Sequence, residues 1–415
     1  MYIMLNERNG YARLAPLFLL FTLAACSLTP YSPDDIAAAA VQQRAQVQEE
    51  GVFRVRASVP GVEEAKQIFG IPLYRRGIQP VWLEISNLSS TRSRVLLSSI
   101  DPDYFAPFEV AYMHKKYFSK QGWQEMEKHL YRNALPRQIA PGETVSGYVF
   151  THNDIGTKSF NVDIFDTGSN SRYEEFTFFI EVPGFKPDYA EVDFETLYSA
   201  DERVELDNEG LRDMLKRFPC CTSDRSGDSL GMPVNVLLVA SGRDVLKALL
   251  RAEWSETTYE KDDNYLNNSS YLFNRPPDAV FRKSRGVKTE RNELSLWLSP
   301  YRVDGRQVWM GQVKHAIGRR FQVGEWFFGT ALDPDVDDGR NYLMQNLWYS
   351  QSLETVAFSA SGIAVAQNEP ALDFDQNPYF SDGFRIVMWI SGSPVALVET
   401  RSLKWDLKPN RDVSE

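Results

Sequence analysis

The chain has 415 residues, of which 43% are hydrophobic and 13% aromatic, enough apolar material for two folded units of ordinary size. Its net charge is −11, from 56 acidic residues against 45 Lys and Arg. This balance argues against nucleic acid and anionic lipid headgroups as main partners, because both need clustered cations.

The N-terminus carries an apolar run, residues 14–25, that follows Arg8 and Arg13. This arrangement is typical of a secretory signal peptide. One alternative is a transmembrane anchor, but a span needs ~20 apolar residues and this run is shorter. The run ends in Leu23-Ala24-Ala25-Cys26, which resembles a bacterial lipoprotein cleavage site. A second alternative is a plain secretory signal cut elsewhere, which leaves Cys26 an ordinary thiol.

The lipoprotein resemblance implies that residues 1–25 are removed and that Cys26 carries acyl chains such as palmitate. Each buried methylene contributes ~0.8 kcal/mol, and two or more chains hold a protein stably on a bilayer. Ser27 follows the cysteine, at a place where retention in the inner membrane prefers Asp. We therefore expect a lipid-anchored protein of the outer membrane that faces the periplasm, with residues 26–50 as a tether.

A first folded region is expected over residues 51–185. Its apolar and polar residues alternate in the runs that begin at Val55, Val81, Val145, Phe160 and Phe176. Such alternation is typical of half-buried strands, and several strands separated by turns predict an antiparallel β-sandwich of immunoglobulin-like form. One helix, about Lys116 to Arg132, is expected to interrupt the strands. Residues 186–204 are then expected to be a linker.

A second region, residues 205–405, mixes both patterns and predicts an α+β unit with a mostly antiparallel sheet. Val234 to Ala240 is an apolar strand, and Ser241 is placed to cap the helix after it. Asp304-Gly305 predicts the tight turn of a hairpin, because this pair favours positive φ. Later strands are expected at Thr355 to Phe358, Phe384 to Ile390 and Val395 to Thr400, before a polar tail, residues 406–415.

Five blocks of the second region resemble the LssY C-terminal domain family of bacterial envelopes. The blocks are Pro233 to Ala240, Tyr271 to Lys283, Leu296-Trp297, Gly305 to Gly311, and Leu332 to Asp337. Some members of that family are fused to membrane domains resembling phosphatidic-acid phosphatases or DedA-type proteins. The resemblance therefore implies work on envelope lipids nearby, rather than catalysis by this domain.

This sequence departs from the family pattern at two places. Relatives tend to carry His where Asn292 and Glu293 stand, and again where Thr330 and Ala331 stand. If those histidines serve a metal or act as a general base in relatives, this chain has lost them. The departure weakens an enzymatic interpretation.

Residues 333–338 form the strongest acidic cluster of the chain. We expect Asp333 to cap a helix, with Pro334 at its first position and the other acids near the positive end of the helix dipole. Metal binding by Asp333, Asp335 and Asp337 is the weaker alternative.

His315 stands in a basic stretch, where a lone histidine is most often structural. The functional alternative is an anion site for a phosphate or lipid headgroup, and its candidate residues are His315, Arg319, Arg320 and Arg275. The other histidines, His114, His129 and His152, stand at no metal-ligand spacing and are assigned to packing.

Two further motifs are interpreted as structural. Gly227 to Gly231 matches both the GDSL hydrolase word and G-x-S-x-G. A nucleophile elbow needs a strand before the serine and a helix after it, whereas here a polar loop precedes and a strand follows, so we expect a turn. Cys220 and Cys221 are adjacent, and two buried or free thiols are favoured over a strained vicinal disulfide.

No nucleophile, base or metal set converges in the sequence, and we expect no catalytic residues and no cofactor. The sequence favours a membrane-anchored envelope lipoprotein with a non-enzymatic binding or scaffolding role toward an envelope protein or lipid. The alternative is a metal-dependent hydrolase acting on envelope lipid or polyprenyl substrates, with Asp333, Asp335, Asp337 and His315 around the metal. A third class, a cell-surface adhesin or secretion accessory, differs in being exposed outside the cell.

Overall fold

The computed structural model describes residues 30–34, 36–166, 173–258, 270–284, 290–321 and 328–406. The predicted signal peptide, Cys26, and most of the predicted tail therefore lie outside the described residues. Within the described part of the chain, no helix has both the length and the apolar character needed to cross a membrane. The protein is a mixture of helices and mostly antiparallel sheets, so the α+β prediction is confirmed.

The N-terminal unit runs from the first helix to about residue 185. Its helices are α1 Ile36–Gln43, α2 Val62–Phe69, α3 Leu97–Ile100, α4 Pro107–His114 and α5 Lys120–Asn133. Its strands are β1 Gln46–Glu50, β2 Phe53–Ser58, β3 Ile78–Asn87, β4 Ser93–Leu96, β5 Gln138–Ile139, β6 Thr144–His152, β7 Thr157–Asp166 and β8 Tyr173–Glu181.

These strands form two four-stranded antiparallel sheets, in the orders β1-β2-β3-β6 and β5-β4-β7-β8. The register places Val55 opposite Ile85 in the first sheet and Phe160 opposite Phe178 in the second. Apolar residues of both sheets form one buried core, as the period-two alternation predicts. The N-terminal strands therefore pack as two facing layers.

Helices cover the outer face of the first sheet and form a second core with it. Val41 of α1, Phe69 of α2 and Met126 of α5 are buried there, beside Trp82 and Phe150 of the sheet. The expected single helical insert is therefore one helix among several. The expected tether is also shorter than predicted, because α1 and β1 pack on this unit through apolar and backbone contacts.

The C-terminal unit contains three helices in the described part of the chain, α6 Asn208–Leu215, α7 Gly242–Arg251 and α8 Val336–Tyr349. Its first strands are β9 Val204–Leu206, β10 Cys221–Ser223, β11 Leu230–Pro233, β12 Val236–Val239, β13 Ser255–Glu256, β14 Ala279–Ser284, β15 Glu290–Val303 and β16 Arg306–Phe321. The later strands are β17 Phe328–Leu332, β18 Leu353–Ser359, β19 Ala371–Leu372, β20 Pro378–Tyr379, β21 Arg385–Ile390 and β22 Arg401–Ser402.

One large sheet organises this unit, in the order β13-β14-β15-β16-β12-β21-β18-β22, with β17 paired to β16 and β9 to β15. The long hairpin β15–β16 lies near its centre and turns at Asp304 and Gly305, whose φ angles are 52° and 74°. Both angles are positive, as the favoured two-residue hairpin turn requires. The predicted hairpin is confirmed.

Both faces of the large sheet are covered. Val236 and Leu238 of β12 face α7 and α8 in one core, while Leu237 and Val239 face α6 in the other. A strand buried on both faces reads as a continuous apolar run, which explains why this strand shows no alternation. Ser241 caps α7 as predicted, since its Oγ accepts a hydrogen bond from the Asp244 amide at 3.2 Å.

One expected strand of the C-terminal unit is wrong. Val395 to Thr400 forms no strand; a 3-10 turn, Leu397–Glu399, occupies it, and Val398 is 93% exposed. The predicted linker, residues 186–204, contributes Tyr189, Phe194, Leu197 and Tyr198 to the core of the C-terminal unit.

Buried polar contacts join the two units. Glu256 of β13 is 3% exposed and accepts a hydrogen bond from the Thr157 amide of β7 at 2.5 Å, and another from the Tyr189 hydroxyl. Lys247 of α7 lies over the Phe179 ring of β8 at 5.6 Å. A buried carboxylate of this kind requires its donors, so Glu256 ties the N-terminal unit to β13 of the C-terminal unit.

Candidate functional site

The hairpin β15–β16 places His315 on the face of the sheet that α8 covers. His315 lies directly opposite Asn292 on β15. After β17 the chain returns to β16, where the Asp333 amide donates to the His315 carbonyl at 2.8 Å. The Asp333 carboxylate then lies beside the imidazole, with 3.3 Å between Oδ2 and Nδ1.

The start of α8 differs from the prediction. Its N-cap is Asp335, whose Oδ1 accepts from the Asp337 amide at 3.2 Å, and the helix begins at Val336. Asp333 lies two residues earlier and accepts from the Asp335 amide at 3.0 Å. The predicted cap at Asp333 with Pro334 as the first helical residue is therefore wrong, because β17 ties Asp333 to the sheet before the helix can begin.

Three potential metal ligands meet at this place. His315, Asp333 and Asp338 each offer one ligand atom, and these atoms lie within 4.8 Å of one another. Asp338 is exposed, while the other two are half-buried. Imidazole nitrogen with two carboxylate oxygens is a ligand set that zinc and similar divalent ions accept. In the described part of the chain, these are the residues that could hold a metal ion.

Asn292 adds a buried donor beside this cluster. The residue is 1% exposed, and its Nδ2 has no hydrogen-bond partner among the described residues. Paired residues on neighbouring antiparallel strands have Cβ atoms about 4.5–5.5 Å apart, so the Asn292 amide lies next to the His315 ring. Asn292 is therefore adjacent to the cluster.

The acids proposed for the metal alternative do not converge. Asp337 is 1% exposed and turns into the core, where it accepts from the Ser381 hydroxyl at 3.0 Å and the Asp382 amide at 2.6 Å. Arg340, fully buried, lies 3.2 Å from Asp337 and forms a two-pronged ion pair with Asp382 at 2.9 and 3.0 Å. Burial raises the pKa of Asp337, and the charge of Arg340 opposes part of that rise.

The four residues of the candidate anion site are also not brought together. Arg275 pairs with Asp278 through two 2.8 Å hydrogen bonds and donates to the Leu298 carbonyl. Leu298 lies six residues along β15 from the partner of His315, about 20 Å at the usual strand rise. Arg319 is exposed, four residues beyond His315, and the Arg320 side chain lies outside the described part.

A buried row of charges crosses the other face of the sheet. Arg282, Glu293 and Lys314 lie directly opposite one another on β14, β15 and β16. Arg282 Nε donates to Glu293 at 2.9 Å, and Lys314 Nζ donates to Ser270 at 2.9 Å. Burial lowers the pKa of Lys314, and the charge of Glu293 opposes this. Sequence reasoning missed this row, although charged residues inside three strand-like runs were its signal.

The remaining motifs have structural positions. The GDSL motif spans the turn of the β10–β11 hairpin and the start of β11, and Ser229 in the turn is exposed, with its amide donating to Asp224 at 3.2 Å. Cys220 and Cys221 form a vicinal disulfide, so the expectation of two thiols is wrong. Cys221 opens β10, and the Cys220 carbonyl accepts a hydrogen bond from the Val234 amide at 2.8 Å, so the backbone of the pair is held beside β11.

The three other histidines each contact a nearby acceptor. His114 Nδ1 lies 2.8 Å from the Val110 carbonyl, and His129 Nε2 lies 3.0 Å from the Ile68 carbonyl. His152 Nδ1 lies 3.0 Å from Asp101. Burial lowers the pKa of His114. Each ring is therefore held within the N-terminal unit, well away in sequence from the cluster at His315.

The C-terminal unit is an α+β fold. Its large sheet is covered on both faces, and a polar cluster lies at the start of α8. Residues 267–384 match the family described as LssY C-terminus, which confirms the resemblance of the C-terminal region to that family. The matched stretch contains His315, Asp333, Asp338 and Asn292. No curated protein matches the chain.

Proposed function

We propose that this chain is a lipid-anchored envelope protein that binds a partner without transforming it. In this proposal Cys26 holds the protein on the periplasmic face of the outer membrane, and the two folded units form its body. The observation that carries the proposal is the divergence of three carboxylates: Asp333 faces His315, Asp335 caps α8, and Asp337 faces the core. A hydrolase built on these acids needs them around one ion.

The two-layered N-terminal unit supports the same proposal. Its two four-stranded antiparallel sheets over one core are compatible with an immunoglobulin-like sandwich. Sandwiches of this kind are common binding modules, although fold alone does not fix function. The sandwich lies beside α7, so partner recognition can involve both units.

Membrane fractionation tests the anchor. The parent protein is expected in the outer-membrane fraction and the Cys26→Ser variant in the soluble periplasm, because Cys26 is the residue proposed to carry all the acyl chains. Ser27→Ala keeps the cysteine and serves as the matched control, expected to fractionate like the parent. A Cys26→Ser variant that stays with membranes as the parent does contradicts the proposed anchor.

Crosslinking in native membranes tests the binding role. Mass spectrometry of the crosslinked parent is expected to recover the same envelope neighbour in repeated preparations, and the soluble Cys26→Ser variant is expected to recover less of it. Recovery of nothing above background from the parent contradicts the binding role, whatever the result of the fractionation.

A second candidate function is metal-dependent hydrolysis of an envelope lipid or polyprenyl substrate. One observation favours it: the ligand atoms of His315, Asp333 and Asp338 lie within 4.8 Å. When bound, a divalent ion would supply Lewis-acid chemistry there. Asn292 Nδ2 would donate a hydrogen bond to a substrate oxygen beside it.

Calorimetric titration of the full chain with Zn²⁺ or Mn²⁺ tests this candidate. Asp333→Asn is expected to weaken metal binding, because it removes one ligand charge. Asp335→Asn is the matched control, since asparagine also caps helices and Asp335 lies outside the ligand set. Equal metal binding by both variants, or metal binding without release of phosphate from phosphatidic acid, removes the hydrolase candidate.

A further inference from the structure

A polar cavity of about 570 Å³ lies between the two units. One wall is α7, and a second is the loop Gly392 to Pro394. The N-terminal unit supplies the third wall, with the side chains of Gln46, Gln48, Thr157, Thr177, Phe179 and Glu181. Amide and hydroxyl groups dominate this wall, so the cavity suits a polar ligand better than an acyl chain.

Three cations stand in a row along this cavity. Arg243, Lys247 and Arg251 are each four residues apart on α7 and therefore share one face of the helix. The row is about 12 Å long at the helical rise of 1.5 Å per residue. The opposite face of α7, with Val245 and Leu249, packs on the core of the C-terminal unit, so the helix holds the row in place.

None of the three cations forms an ion pair with a carboxylate in the part of the chain that the structure describes. Lys247 Nζ lies 5.6 Å from the centroid of the Phe179 ring, and Arg243 is exposed. Glu181 is the acidic residue of the lining, and it is exposed. A concentration of positive charge without carboxylate partners attracts anions, even in a chain of net charge −11.

Arg251 has donors that lack acceptors. Its Nη2 donates to the Ser391 carbonyl at 2.8 Å, while Nε and Nη1 are buried and have no hydrogen-bond partner among the described residues. Burial lowers the pKa of Arg251, and the charge of Asp244 partly opposes this. Buried guanidinium donors without acceptors are costly, and because these two nitrogens are closed to solvent, an anion in the cavity would offset that cost through its charge rather than by accepting from them directly.

We infer that this cavity binds a phosphate-bearing anion through Arg243, Lys247 and Arg251. Guanidinium and ammonium groups are the side chains that phosphate oxygens contact most strongly, and three of them match an anion with two or more charges. The amide and hydroxyl groups opposite match a glycerol or sugar moiety attached to the phosphate. This inference rests on the proposed binding function and names the chemistry of one ligand.

The source of the phosphate is either a soluble phosphate ester or a lipid headgroup, and calorimetry distinguishes them. The full chain is titrated with inorganic phosphate and glycerol 3-phosphate, with acetate as the control anion. It is also mixed with phosphatidylcholine vesicles that contain phosphatidic acid, and with pure phosphatidylcholine vesicles. Binding of the soluble probes alone indicates a soluble ester, and binding of the vesicles as well indicates a headgroup.

The double variant R243Q/K247Q is expected to lose at least roughly tenfold in affinity, because a charge-assisted hydrogen bond is worth about one decade. R401Q/K404Q removes the same two charges from exposed positions outside the cavity and is the matched control, expected to bind like the parent. Arg251→Lys keeps the charge but changes the donor geometry, and it is expected to weaken binding severalfold with unchanged circular dichroism.

Two results overturn the inference: absence of binding to every phosphate probe by the parent, or equal losses in R243Q/K247Q and R401Q/K404Q. The crosslinking experiment remains independent of both. A parent that recovers an envelope neighbour yet binds no phosphate probe leaves the proposed function standing and removes this ligand. A parent that binds phosphate but recovers no neighbour keeps this ligand and removes the proposed binding of an envelope partner.

Discussion

Arg340 provides the sharpest test of how the start of α8 is held. It is fully buried, pairs with both oxygens of Asp382, donates to the Phe384 carbonyl, and lies 3.2 Å from Asp337. Arg340→Leu introduces an apolar residue that is also a good helix former, and it removes every one of these contacts. It leaves two carboxylates, at 337 and 382, without their cation.

Breaking a buried ion pair by removing one partner costs about 3–5 kcal/mol, because the remaining charge is left in the interior. We expect Arg340→Leu to lower the free energy of unfolding by this amount. Asp337 keeps two hydrogen bonds, from Ser381 and the Asp382 amide, so we expect a loss of stability toward the lower end of this range. The loss should appear as a lower urea concentration at the unfolding midpoint, with an unchanged m value.

The loss should also depend on pH. The pKa of Asp337 is raised by burial, so the folded state binds this proton more tightly than the unfolded chain does, and stability falls as pH rises through the unfolded value toward the folded one. Without Arg340 the pKa of Asp337 rises further. The variant should therefore lose more stability at pH 8 than at pH 5, since protonation relieves the unpaired charge at the lower pH.

The matched control is Arg306→Leu, which breaks an exposed ion pair with Glu354 at 2.7 Å. Exposed pairs contribute about 0.2–1 kcal/mol, so this variant should unfold close to the parent. An Arg340→Leu loss no larger than that of the control, or a loss identical at the two pH values, would refute the reasoning about the buried pair.

Two other predictions concern the junction and the N-terminal sheets. Burial raises the pKa of Asp188 to about 6, against an ordinary value of 3.8, so its contribution to stability is present at low pH and is lost as pH rises from about 4 to 6; the shift is equivalent to about 3 kcal/mol. Asp188→Asn should flatten this part of the pH profile of urea unfolding, and an unchanged profile would contradict the assignment. A Cβ on Gly147 would lie 2.7 Å from backbone atoms of Ala134 and Leu135, so Gly147→Ala should cost about 1–3 kcal/mol. The exposed neighbour Ser146→Ala should change thermal stability little, and equal shifts for both variants would count against the steric explanation.

Local patterns in the sequence determined much of the architecture. Alternation located the strands of the N-terminal unit and the faces that they bury, because successive side chains on a strand point to opposite sides. The pair Asp304-Gly305 fixed the hairpin turn, and Ser241 fixed the start of α7. The blocks that resemble the LssY C-terminus located the C-terminal region, and the match of that family to residues 267–384 confirms it. Each of these signals lies within a few residues of the structure that it specifies.

Contacts between distant residues decided the rest. Asp337 is buried where its carboxylate accepts a hydrogen bond from the Asp382 amide, 45 residues away. Asp335 becomes the cap of α8, because Asp333 is held beside His315 at the end of β17. The cavity along α7 lies between two units that are distant in sequence, as is the hydrogen bond of Glu256 with Thr157, 99 residues earlier in the chain. The negative net charge of the whole chain does not reveal that three cations share one face of α7. Such features depend on which segments meet in space, and that is set by the balance of burial and hydrogen bonding across the whole fold rather than by any short stretch of residues.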